Sequence, residues 1–156
     1  MIAPILPVGA FIWCRFPLHE AHRAPGPIDH LHLCYIADTV GKDALTLYTT
    51  SVLWDPSIPE PEGIIVVSVE QAAQMKQKPF VLDARRIGIF PITTEWFPDL
   101  EDKDHGIVYI ANDAFQKKVA RVAKDVAVKH RQNIEFYGPT APTLPDKSGW
   151  TPPKHK

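Results

Sequence analysis

The sequence predicts a mainly β fold with a C-terminal α-helix: five to six short strands in a small, strongly twisted barrel, the helix across one end. Three observations carry this. The apolar runs are short and rich in Ile, Val, Phe, Tyr, Trp and Thr, residues that fit a pleated, half-buried surface. Clusters of Gly, Pro and Asp separate them, and most of the 16 prolines fall between runs, where a missing N–H costs no ladder bond. One later stretch changes to a spacing of three and four residues, the period of a helix.

In chain order the predicted strands are GAFIWCRF (9–16), HLHLCYIAD (30–38), ALTLYTTS (44–51), GIIVVSV (63–69), FVLDARRIGIF (80–90) and GIVYIA (106–111). DTVGKDA reads as the hairpin turn between the second and third, and VEQAAQMKQ (69–77) as a short helix closed by Pro79. From Asp113 to about Gln132, Phe115, Val119, Val122, Val126 and His130 share one helical face, with Asn112 or Asp113 as N-cap. The other faces carry Lys117, Lys118, Arg121, Lys124, Lys129 and Arg131 against Asp113 and Asp125. That is a solvated basic face, or a face laid against nucleic acid or an acidic partner segment. Five prolines lie among the last 18 residues, with Trp150 as a potential anchor. Residues 1–135 are therefore read as one domain and 136–156 as a Pro-rich extended or disordered tail.

At 156 residues, 45% hydrophobic and 22% charged, the chain has the make-up of a soluble globular domain with a real core. A net charge of −1 argues against a broad cationic surface for duplex DNA but allows a local basic patch. Cys14 and Cys34 lie in apolar runs without C-x-x-C spacing and read as reduced core thiols. No apolar stretch reaches the ~20 residues needed to span a bilayer. The apolar start MIAPILPVGAFIW lacks a basic flank and is broken by Pro4 and Pro7, so a cytoplasmic protein without membrane contact is expected.

No phosphate-binding Gly loop, G-x-S-x-G elbow or H-E-x-x-H is present. Three weaker constellations remain. His30 and His32 alternate on a strand and so share a face with Cys34, while Leu31, Leu33 and Tyr35 point to the core. Such a face can hold zinc if His19 or His22 adds a ligand, can exchange protons, or can simply be half-buried strand. LTLYTTS places Thr49, Thr50 and Ser51 at a strand end, where hydroxyls can bind phosphate or serve β-propensity alone. The loop RFPLHEAHRAPGP gathers Arg15, His19, Glu20, His22 and Arg23, a glove for a phosphodiester or a solvated polar loop.

The order of these pieces resembles the PemK/MazF-like growth inhibitors of toxin–antitoxin systems. A strand opens at Gly9 with IWCRFP, a polar loop closes in Pro-Gly-Pro, a third strand ends in TTS, and FVLDARRIGIFPIT follows. The resemblance covers roughly residues 8 to 132. It implies an SH3-like barrel, a homodimer, and a metal-independent endoribonuclease that cuts single-stranded RNA, with an antitoxin as partner and no cofactor. His30, followed by Leu31, stands where the family has an Arg-Pro pair, and Thr50 matches its hydroxyl residue. His30, His32 and Thr50 are thus the expected catalytic residues, with Arg15, Arg23, Thr49 and Ser51 binding substrate. Trp13 and Tyr48 are candidates to stack bases, with a place in the barrel core the first expectation for Trp13. The alternative is an inactive SH3-like module that binds RNA or protein, since the catalytic Arg is replaced. A zinc-bearing structural domain around His30, His32 and Cys34 is the third reading.

Overall fold

A computed structural model of the chain describes residues 6–15, 31–51, 55, 57–129 and 132–138. Strands β1 (Ala10–Arg15), β2 (Leu31–Val40) and β3 (Asp43–Ser51) precede β4 (Ile64–Val66), α1 (Val69–Gln74) and β5 (Phe80–Pro91). Then come β6 (Ile107–Ile110), α2 (Asp113–Lys129) and β7 (Asn133–Phe136). Among the described residues seven strands form one sheet in the order β4-β5-β3-β2-β1-β6, antiparallel throughout, while β7 runs parallel to β5. The mainly β fold with a late helix stands as the sequence predicts. The five to six strands become seven, and the described pairings leave β4 and β6 unjoined, so the sheet is open and not a closed barrel.

Local chemistry sets the boundaries. Val40 pairs with Asp43 across the two-residue turn Gly41-Lys42, where Gly41 has φ +61°, a conformation glycine adopts without Cβ strain. The strand expected over 63–69 stops at Val66 because Ser68 caps α1. Its hydroxyl accepts from the Gln71 N–H at 3.1 Å, and the Gln71 side chain accepts from the Ser68 N–H at 3.3 Å. Asn112, the first of the two expected caps, accepts from the Phe115 N–H at 2.9 Å and starts α2.

Both faces of the sheet are buried. Ile12, Cys14, Cys34, Ile36, Ala44, Tyr48 and Phe90 pack on one side beneath Trp96, Phe97 and Leu100 of the turn after β5. Phe11, Leu33, Tyr35, Leu47, Phe80 and Leu82 pack on the other beneath Ala72 and Met75 of the α1 region and Phe115 and Val119 of α2. The alternation expected in β2, one face core and the other open, is corrected accordingly. Cys34 is 0% exposed, although it lies on the histidine face, and Leu31 is 39% exposed. Cys14 and Cys34 are free thiols, and burial first, then the neighbouring Cys34, pushes the Cys14 thiol pKa up.

β5 bends to serve two partners. Leu47 pairs with Ile87 but the next residue, Tyr48, pairs with Asp83, so Ala84, Arg85 and Arg86 bulge out of the ladder. Before the bulge β5 pairs with β4, and after it with β7. The bulge swings Arg86 over the Tyr48 ring at 4.7 Å, where its guanidinium donates to Glu135 Oε1 at 3.0 and 2.6 Å. Tyr137 OH donates to Glu135 Oε2 at 2.7 Å and lies 3.0 Å from the Tyr48 hydroxyl. Burial works against charge on Arg86, but hydrogen bonding and attraction from Glu135 prevail and raise its pKa. Tyr137 also stacks on Phe90 with ring centres 4.4 Å apart. The packed structure therefore continues past residue 135. The tail expectation for residues 139–156 lies outside the described residues.

Candidate functional site

Where β2 begins and β3 ends, the hairpin pairing brings their termini side by side. Extending the Cys34–Tyr48 register sets Leu33 against Thr49 and His32 against Thr50. β1 lies on one flank, pairing Trp13 with Leu33, and β5 on the other, pairing Ser51 with Phe80. A groove of about 370 Å3 opens here, lined by Trp13, His32, Leu33, Thr49, Thr50, Ser51 and Phe80 together with Leu31, Gln77 and Lys78. Trp13, Leu31, Leu33 and Phe80 give it apolar and aromatic surface, and Thr49, Thr50, Ser51, His32, Gln77 and Lys78 bring hydroxyl, imidazole, amide and ammonium groups. That division suits a flat ring attached to a polar, anionic backbone.

The hydrogen bonds separate the three hydroxyl residues. Thr49 is buried, and its hydroxyl donates to the Leu33 carbonyl at 2.7 Å, which uses its proton within the sheet. Thr50 and Ser51 are exposed, and their hydroxyls make no hydrogen bond among the described residues. His32 is half-buried, and its Nε2 donates to the Thr49 carbonyl at 2.8 Å, with the Thr49 hydroxyl 3.4 Å away. With the proton on Nε2, the lone pair of the neutral ring sits on Nδ1.

Of the residues singled out from sequence, His32, Thr49, Thr50 and Ser51 meet in this groove. Arg15 pairs with Leu31 at the end of β1 but does not line it. Arg15 Nε is buried without a hydrogen-bond partner among the described residues, and its backbone N–H donates to the Trp96 carbonyl at 2.8 Å. His30 and Arg23, like His19 and His22, lie outside the described residues.

The two stacking candidates part ways. Trp13 is half-buried and lines the groove, whereas Tyr48 is buried with its hydroxyl turned to Tyr137, so its ring belongs to the core. Among the described residues no three His, Cys, Asp or Glu side chains are placed to hold a metal ion. The Cys34 thiol donates to the His32 carbonyl at 3.8 Å.

No protein-family model matches the chain, and no curated protein does. The groove must therefore be judged on its own chemistry. Sequence reading missed Gln77, Lys78 and Phe80, because the α1–β5 turn reaches the groove through strand register and not through a local motif. No helix among the described residues is long and apolar enough to cross a membrane.

Proposed function

We propose that the groove binds single-stranded RNA and that the protein is a PemK/MazF-like endoribonuclease acting without a metal. The observation that carries this reading is the meeting of His32, Thr50, Ser51 and the Trp13 ring in one groove. An unpaired base has a π-face for Trp13, and the phosphate beside it finds two hydroxyl donors in Thr50 and Ser51.

The chemistry follows from the substrate. A base takes the proton of the ribose 2′-hydroxyl, and the 2′-oxygen attacks the adjacent phosphorus. The bond to the 5′-oxygen breaks, that oxygen leaves with a proton from an acid, and a 2′,3′-cyclic phosphate remains. Imidazole, with an unperturbed pKa of ~6.5, serves either proton transfer near neutral pH. His30 and His32 share these roles, each worth roughly 10²–10⁴-fold. Thr50 donates to the phosphoryl oxygens, whose charge a nearby cation neutralises.

In this reading the open sheet is an opened form of the SH3-like barrel. The protein works in the cytoplasm as a homodimer and is held in check by an antitoxin.

One observation favours the second reading, a module that binds RNA or protein without cutting. The His32 Nε2 proton is committed to the Thr49 carbonyl, a bond that a purely structural histidine would also make. Purified protein incubated with long single-stranded RNA in EDTA separates the two. Cleavage to cyclic-phosphate ends, abolished by His30→Ala and lowered at least a hundredfold by His32→Ala, supports the nuclease. Binding without cleavage supports the module, and neither binding nor cleavage across varied sequences ends the proposal.

A further inference from the structure

We propose that Lys78 is a phosphate-holding cation of the groove, supplied by the turn between α1 and β5. The inference rests on the reading of the groove as an RNA site. Among the described residues lining the groove, Lys78 is the single Lys or Arg. Its side chain is exposed and has no ion-pair partner among the described residues, in contrast to Lys118 and Lys129, which hold Glu60 and Glu62.

The backbone holds Lys78 in place. Helix α1 ends in a Schellman motif: the Lys76 N–H donates to Ala73 O at 3.0 Å and the Gln77 N–H to Ala72 O at 2.9 Å. Lys76 adopts φ +56°, an uncommon conformation for a residue with a Cβ, and these two bonds hold it there. The Gln77 side chain donates to Met75 O at 3.3 Å, and Met75 is buried in the core beside Phe80. Pro79 fixes its own φ on the far side, and Phe80 then enters the ladder opposite Ser51. Lys78 is thereby carried on a turn anchored at both ends and lines the same groove as the hydroxyls of Thr50 and Ser51. In one groove an ammonium and two hydroxyls hold a phosphodiester while the attached base lies on Trp13.

The test measures binding of a short fluorescent 2′-O-methyl RNA of mixed sequence, which has no 2′-hydroxyl to react, over a range of salt concentrations. Lys78→Gln is expected to weaken binding about tenfold and to reduce the slope of log K against log salt by about 0.7. Lys78→Arg is expected to keep the wild-type slope. Lys124→Gln makes the same charge change on the exposed face of α2 and is expected to do neither. Wild-type affinity and slope in Lys78→Gln, or an equal loss in Lys124→Gln, overturns the assignment of Lys78 while the RNA site stands. Wild-type protein that binds no RNA removes both proposals together.

Discussion

Thr49 and Thr50 are neighbours of one residue type, and the fold gives them opposite duties. The Thr49 hydroxyl ties β3 to the Leu33 carbonyl, so Thr49→Val should lower stability by about 1 kcal/mol in urea unfolding. Thr50→Val touches no such bond and should unfold like wild type while weakening RNA binding and cleavage. The reverse pattern would mean that the exposed hydroxyl is not part of the site. Trp13 offers a second check, since removing a stacking ring costs about 1–3 kcal/mol per base. Trp13→Ala should weaken RNA binding by that amount in a fluorescence titration, with circular dichroism unchanged. Sequence alone could place the three hydroxyls at a strand end, because LTLYTTS carries its own β signal. It could not rank them. Which hydroxyl is spent on a carbonyl depends on cross-strand register, and no residue within ten positions of Thr49 encodes where Leu33 will lie.

Among the elements, β5 shows both what the pattern reveals and what it conceals. Its apolar run announces a strand, and the strand is there. The bulge at Ala84–Arg86 is invisible in that run, yet it decides that one strand serves β4 and then β7. β7 itself inverts the usual rule. Glu135 is buried while Ile134 and Phe136 are 47% and 49% exposed, so alternation assigns its faces backwards. The cause is the Arg86–Glu135 pair, which holds a carboxylate where an apolar side chain would be expected. Breaking such a pair strands a buried charge. Glu135→Ala should therefore cost about 3–5 kcal/mol, and adding Arg86→Met should restore part of it, measured by thermal and urea unfolding of the single and double variants. Gly88 belongs to the same arrangement. A Cβ there would stand 2.7 Å from the Tyr48 hydroxyl, so that strand position has no room for a side chain.

For the molecule as a whole, the two cores predict how it fails in alkali. Burial pushes the Tyr35 pKa up to about 12, and burial reinforced by Glu135 raises those of Tyr48 and Tyr137 further. A raised folded-state pKa gives stability that is complete below the unfolded value of ~10 and lost as pH climbs above it. Tyrosinate absorbance of these three rings should consequently appear together with unfolding, and not as an earlier titration of the native state. An early, reversible signal from Tyr48 or Tyr137 would show that the hydroxyl network is open to water.

The sheet order has a further consequence for synthesis. Phe11 and Tyr35, made early, are roofed by Phe115 of α2, with ring centres 6.3 and 6.1 Å away. β1 finds its outer neighbour only when β6 has been made. A nascent chain halted on the ribosome after residue 112 thus shows water an aromatic floor continuous with the Trp13 wall. Released at that length, it should be digested by a protease that leaves the full chain intact. If the groove cuts RNA, the cell that makes this protein is spared until α2 has been synthesised.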